Sequence, residues 1–303
     1  RVMEDVGYSN VGNLGNILTK GMGLCGIIDR EKYPHLYHSF TPESARYISH
    51  KKLALTLGIK ASKHDWLVFT ETNCMPASNQ WLKLMARNFT PQTQIVLGYS
   101  GYDRTKGWLH KRTAFDTLFQ SLRYLGFALA GKPYMGIGRN LAYRKELFFQ
   151  QKGFSKYLNL QRGEDDLFIN QLATPSNTRV ETDINATTRI NPVYRYKEWK
   201  EEKISYMATA RYYQGIQRYL LGFETFSRLL FYVSCIAGIA SALLIWLLRF
   251  IMQIVVINQT AKEMGGNRKY YFSLPLFDLL QPIQSLNFKI CRFFRGKGDF
   301  MRR

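Results

Sequence analysis

Residues 229–248 read LLFYVSCIAGIASALLIWLL, twenty residues without a charge. At about 1.5 Å per residue a helix of this length covers the roughly 30 Å hydrocarbon core of a bilayer. A buried core helix is usually shorter and amphipathic, so the run predicts a membrane segment. Arg249 interrupts it, and residues 250–257 (FIMQIVVI) continue apolar. One tilted span and a hairpin bent near Arg249 both fit. Lys197, Lys200, Lys203, Arg211, Arg218 and Arg228 precede the run, and Lys289, Arg292, Arg295, Lys297, Arg302 and Arg303 follow it. Positive charge on both flanks favours an even number of crossings or a re-entrant hairpin. Residues 272–283 (FSLPLFDLLQPI) are broken by Pro275 and Pro282 and suit an interfacial segment.

The rest of the chain is not a membrane bundle, because the mean hydropathy is −0.23. Lysine and arginine number 42 against 22 aspartates and glutamates, giving a net charge of +20 and calling for an acidic partner or surface. No zinc-finger, aromatic RNA-binding or basic-zipper pattern is present, so nucleic acid is not the expected partner. Membrane lipids and a phosphorylated substrate are. Cys25, Cys74, Cys235 and Cys291 are too scattered for a disulfide scaffold or a zinc ribbon and read as reduced thiols.

Short apolar runs alternate with helical patterns ahead of the membrane segment. Residues 66–70 (WLVFT), 94–99 and 178–182 read as strands; residues 51–63, 113–130 and 164–173 read as helices, and Ser78 can cap another carrying Trp81, Leu84, Met85 and Phe89. The alternation predicts an α/β fold with a mixed or parallel sheet. Residues 1–30 hold six glycines and no such alternation. Gly21 to Gly26 matches G-x-G-x-x-G, but neither a preceding strand nor a following helix supports a dinucleotide fingerprint.

Two acidic places could carry chemistry. Glu71 and Asn73 follow the Trp66 strand, where α/β folds bind ligands, and their oxygens could hold a hard divalent cation against phosphates. A strand-end turn with a solvated glutamate is the plainer alternative. Glu164, Asp165 and Asp166 are consecutive at a helix start, where the helix dipole favours carboxylates. Crowding also pushes at least one pKa upward, which suits a general base. Between them, Gly136-Ile137-Gly138-Arg139-Asn140 brings glycines beside basic and amide groups, as where backbone approaches a ligand. The five histidines show no metal-ligand spacing, and no nucleophile signature occurs.

The order of residues 49–55 (SHKKLAL), the Glu71/Asn73 pair, GIGRNLAYRK from Gly136, Gly163-Glu164-Asp165-Asp166 and then a membrane segment resembles bacterial membrane-associated family-two glycosyltransferases. The likeness covers about residues 31–290, and its most specific part runs from Asn140 to Phe168. It implies a GT-A-like (Rossmann-related) mixed sheet flanked by helices, followed by a C-terminal membrane helix or hairpin. It implies an enzyme, a nucleotide-sugar-dependent glycosyltransferase acting by inverting displacement at the cytoplasmic face of the inner membrane in glycan biosynthesis. By that resemblance Glu71 and Asn73 stand at the D-x-D positions that grip Mg2+ or Mn2+ and the donor diphosphate, and Lys51, Gly136 and Gly138 lie near the donor. Asp165 is then the general base with Glu164 beside it, and Asn140, Asp166, Trp199 and Lys203 lie near a lipid-linked or membrane-proximal acceptor. The family has aspartates where this chain has Glu71 and Asn73. It carries an arginine in a Q-x-x-R-W-type motif where this chain has Trp199 to Ser205. Its amino-terminal strand-helix-strand unit has no match in residues 1–30. The division implied is a divergent or incomplete segment 1–30, a transferase domain 31–224, a membrane segment or hairpin 225–260 and an interfacial segment with a basic tail 261–303. A non-catalytic relative serving as a membrane-bound scaffold is the alternative.

Overall fold

The computed structural model describes residues 41, 49–103, 105–237, 239–266 and 269–294. The glycine-rich segment 1–30 and the tail charges Arg295, Lys297, Arg302 and Arg303 lie outside the described residues, as does Cys25.

Helix α1 (His50–Ala61) starts where the Ser49 hydroxyl accepts the Lys52 N–H at 3.3 Å, satisfying one of the donors left over at a helix start. Strand β1 (Trp66–Phe69) follows, built of the aromatic and branched residues that pack on a pleated surface. Strand β2 (Cys74–Pro76), helix α2 (Trp81–Ala86), strand β3 (Ile95–Leu97) and strand β4 (Ser100–Tyr102) come next. Helix α3 (Trp108–Leu129) begins five residues before the apolar pattern suggests, on Gly107 at φ +112°. Strand β5 (Leu141–Arg144), helices α4 (Lys145–Gln150) and α5 (Asp166–Leu172), and strands β6 (Thr178–Val180) and β7 (Thr188–Ile190) complete the domain.

The expectation of a mixed α/β fold holds. The first sheet has the order β1-β5-β3-β6, with β6 parallel to β3 and the other pairs antiparallel. The second has the order β2-β7-β4, with β4 parallel to β7 and β2 antiparallel to it. The run read as one strand over 94–99 in fact crosses between the sheets at Gly98. A Cβ there would lie 2.4 Å from the Asn140 amide, so only glycine lets the backbone pass. The core gathers Ile95 and Leu97 with Phe115, Leu118 and Leu125 of α3, Leu141 and Tyr143 of β5 and Leu167 and Ile169 of α5.

Four helices follow or close the domain: α6 (Tyr196–Met207), α7 (Gln217–Ala237), α8 (Ile239–Glu263) and α9 (Leu274–Phe294). Among the described residues one stretch, Leu244–Glu263, is long and apolar enough to span a membrane. The uncharged run 229–248 is not a single helix, however. The Arg249 guanidinium sits 4.7 Å from the Phe231 ring centroid. Eighteen residues of straight helix would separate them by about 27 Å. The chain therefore doubles back between Tyr232 and Arg249, earlier than a bend at Arg249 itself. Asp278 of α9 clasps this hairpin, accepting from Arg249 at 2.8 Å, from Gln253 at 3.2 Å and also from Arg228 and Tyr232. The charge that interrupts the apolar run is thus the half-buried ion-pair partner of a buried carboxylate. Residues 272–283, expected to be interfacial and broken, lie mostly within α9, which carries Pro282 inside it.

Candidate active site

Residues far apart in the chain converge beside the carboxyl end of β1. Lys51, on α1, bonds Glu71 at 2.7 Å and Glu164 at 2.8 Å. Glu71 passes its second oxygen to Arg139 Nε at 2.9 Å, and Arg139 also pairs with Glu202 of α6. Asp165 lies against this cluster: its Oδ2 accepts the Gly138 N–H at 2.9 Å and its Oδ1 the Asp166 N–H at 2.8 Å. Helix α5 begins at Asp166 rather than Glu164, so Asp165 is its N-cap and Glu164 stands ahead of it. The capping reading of Asp165 is borne out. Gly163 makes the turn possible at φ +107°, where an added Cβ would meet Leu167 at 2.7 Å.

Lys52 explains why the acidic turn is placed so firmly. It is fully buried and donates to three backbone carbonyls, Tyr157 O at 2.6 Å, Leu160 O at 2.7 Å and Arg162 O at 2.9 Å. Successive residues on a helix point about 100° apart, so Lys51 faces the carboxylates while Lys52 ties down the loop that delivers them. Burial lowers the Lys52 pKa to about 8, against the opposing charges of Glu164 and Asp166.

Charge crowding sets the acidities. Burial raises the Asp165 pKa and the Glu164 charge raises it further, while Lys51 and the Gly138 N–H pull it back. Asp166 is pushed up to about 7 by burial and by Asp165, despite its hydrogen bonds from Thr209 and from Tyr213 at 2.9 Å. For Glu71 burial alone would raise the pKa, but Lys51 and Arg139 outweigh it and hold the group down at about 2. Burial works against the Lys51 charge, yet Glu164 and Glu71 overcome it and raise its pKa. One oxygen, Glu164 Oε2, is buried with no hydrogen-bond partner. Buried polar atoms are rarely left so.

Lys51, Glu71, Gly138, Glu164 and Asp165 therefore come together as expected. Other expected site residues have different surroundings. Asp166 is buried and its carboxylate is taken up by Thr209, Tyr213 and the Leu167 N–H. Asn140 staples the two sheets: its amide donates to Tyr99 O and Ala186 O, both at 2.8 Å, and accepts from the Trp81 indole at 3.1 Å. Gly136 is a packing position, where a Cβ would press on Leu97, Ile169 and Leu141 at 3.0–3.2 Å. Trp199 sits in an apolar cluster with Ile204 and Phe288. Lys203 pairs with Asp116 and Gln120 of α3. The Asn73 side chain is exposed and accepts only from the Cys74 thiol at 3.4 Å among the described residues.

For a divalent cation the fit is poor. Both oxygens of Glu71 already rest on cations, its expected companion is a neutral amide, and no three His, Cys, Asp or Glu side chains among the described residues converge as a ligand group. The positive charge beside the acids comes instead from Lys51 and Arg139. Arg139 and Glu202 were not singled out by sequence, although Arg139 stands within the glycine-flanked run and Glu202 within the segment of Trp199 and Lys203. On α6, Glu202 and Lys203 point about 100° apart, one toward the cluster and one toward α3. Tyr206, one turn on, carries the Arg162 guanidinium 4.3 Å from its ring centroid. No protein-family model matches the chain, and no characterised protein matches it.

Proposed function

We propose that the chain is a membrane-associated, nucleotide-sugar-dependent glycosyltransferase with a GT-A-like domain, and that Asp165 is its general base. One observation carries the reading: a buried carboxylate of raised pKa, Asp165, stands within reach of the Lys51 charge, in a cluster where Lys51 holds Glu164 and Arg139 holds Glu71 at the end of a strand. A base needs a proton affinity nearer the operating pH than an ordinary aspartate has, and an anionic leaving group needs fixed positive charge. In the proposed step the acceptor hydroxyl gives its proton to Asp165. Its oxygen bonds to the anomeric carbon from the face opposite the donor phosphate, the carbon–phosphate-oxygen bond breaks, and the configuration inverts. The departing nucleoside diphosphate keeps the electron pair, with Lys51 and Arg139 as its counter-charges. Glu164 holds Lys51 in place and offers Oε2 to the acceptor. The apolar hairpin and its basic flanks support a lipid-linked or membrane-proximal acceptor, with the domain on the cytoplasmic side of the inner membrane.

A specific observation favours a second reading, a non-catalytic scaffold: Glu71 is neutralised within the protein and Asn73 lies outside the ion-pair network. Calorimetry of the detergent-solubilised chain against UDP- and GDP-sugars, with and without manganese, separates the two. Binding of one donor, with transfer lost in Asp165→Asn, supports the transferase. No binding of any donor leaves the scaffold. Binding that requires manganese would return Glu71 to the role of metal ligand.

A further inference from the structure

A cavity of about 510 Å³ lies between α3, α6, α7 and α9. Eight of its lining residues are arginine or lysine, and one, Asp116, is acidic. Part of that charge is answered. Lys203 pairs with Asp116, Arg123 with Glu224 at 2.8 Å, and Arg228 with Glu224 and Asp278. The rest is answered only in part. Arg112, Arg211 and Arg292 form no ion pair among the described residues: Arg112 feels the Asp116 charge and leans on the Gln284 amide oxygen at 3.1 Å, Arg211 donates to the Tyr212 hydroxyl at 2.6 Å, and Arg292 to Met207 O at 2.6 Å.

Four guanidinium groups on the wall each keep a buried nitrogen without a hydrogen-bond partner: Arg112 Nη1, Arg123 Nε, Arg211 Nε and Arg228 Nε. Arg112 is 1% exposed and Arg228 8%. Each of the four stacks on a ring of the chain, Arg112 on Phe115 and Phe277, Arg123 and Arg228 on Phe119 and Arg211 on Tyr212, which offsets part of the cost of an unused donor and leaves the surplus of positive charge for an anion from outside. Guanidinium groups match the tetrahedral oxygens of phosphate especially well. The two helices that form one side of the cavity also carry bare apolar side chains. These are Phe223 and Phe226 on α7 and Leu286, Ile290 and Phe293 on α9; Phe293 itself lines the cavity. The ligand that answers both features is anionic at one end and hydrocarbon at the other.

We infer that this cavity binds the phosphate headgroup of an anionic lipid, with the hydrocarbon chains lying on the exposed faces of α7 and α9. The site stands apart from the transferase reading, since it rests on other residues. Tyr206 and Lys203 line the cavity from the helix that sends Glu202 to the acidic cluster, so a lipid held here is within one helix of Asp165.

The test uses the full chain in detergent, titrated with a short-chain phosphatidic acid, with phosphatidylcholine of the same chain length and with inorganic phosphate. Phosphatidic acid is expected to bind and phosphatidylcholine not to. Arg112→Met and Arg211→Gln are each expected to weaken binding about tenfold or more, the loss typical of a charged hydrogen bond. Arg211 is only partly buried, so its variant remains informative if Arg112→Met fails to fold. Equal binding of the two lipids, or unchanged binding in the folded variants, overturns the proposal. Inorganic phosphate binding as tightly as phosphatidic acid overturns its lipid half. Asp165→Asn is expected to bind phosphatidic acid like the parent chain, so loss of transfer and loss of lipid binding are read separately.

Discussion

Two charge clusters in this molecule use the same groups to opposite ends. Around Asp278 one carboxylate meets Arg228, Arg249, Tyr232 and Gln253, and both of its oxygens are filled. Around Lys51 three glutamates and Asp165 share two cations, Lys51 and Arg139, and an oxygen of Glu164 is left over. The first cluster has more cation than anion and joins three helices. The second has more anion than cation and is assembled from strand ends, a loop and a helix start. Where the carboxylate has both oxygens filled by cations and donors it fastens the fold; where a surplus of acid is held in place by the backbone, the proposed chemistry has its groups. Mutation should separate the two, one class losing stability and the other losing chemistry.

The largest expected effect is on chemistry. Asp165→Asn keeps one oxygen to accept one of the two backbone N–H groups, loses the other bond because its NH2 only donates, and removes the proposed base, so transfer should fall about 10²–10⁴-fold in a product assay while donor affinity is retained. Asp278→Ala leaves two arginines without their carboxylate. It should cost about 3–5 kcal/mol, read as a lowered melting temperature in detergent with the Lys51 cluster untouched. Lys52→Met strands three carbonyls and should cost about 3 kcal/mol. It should also lower activity, because the acidic turn loses its anchor.

Asp166 gives a pH signature. Its pKa in the folded chain is raised to about 7, above that of an unfolded aspartate, so its contribution is full at acid pH and is lost as the pH rises from about 4 to 7. Asp166→Asn should flatten that part of the stability profile, a difference on the order of a few kcal/mol between pH 4 and pH 8 in chemical denaturation. The smallest effect belongs to a pair in neither cluster. Arg195 and Glu198 are 81% and 59% exposed and 3.9 Å apart, and Arg195→Ala should change stability by less than about 0.5 kcal/mol.

The sequence made the alternation of strands and helices legible, along with the meeting of Lys51, Glu71 and Asp165, because strand-end acids and a helix-start acid have few places to go in an α/β fold. It hid the partners that come from long range. Arg139 and Glu202 are 63 positions apart and meet only through folding. Asn140 looked like a ligand group because a buried amide and a ligand-binding amide have the same composition of neighbours in sequence. Its work in joining the two sheets depends on Tyr99 and Ala186, which no local pattern connects to it. Arg249 looked like a break in a membrane run, and its meaning required Asp278, twenty-nine residues later.

The reversal between Tyr232 and Arg249 sets how deep this chain can reach. From Arg249 back to the start of α8 is about 15 Å of helix, half the thickness of a bilayer's hydrocarbon layer. Beyond Arg249 the same helix returns to the α/β core, where Ile257 and Ala261 are buried. On the proposed membrane reading, with Arg249 at the interface, the tip would reach the near leaflet and no further, and both arms of the hairpin would begin and end on the side where the domain sits. On the membrane-associated reading proposed above, such a hairpin is moored from one face, like a float rather than a bolt, and labels confined to the opposite face of a vesicle should modify none of the described residues.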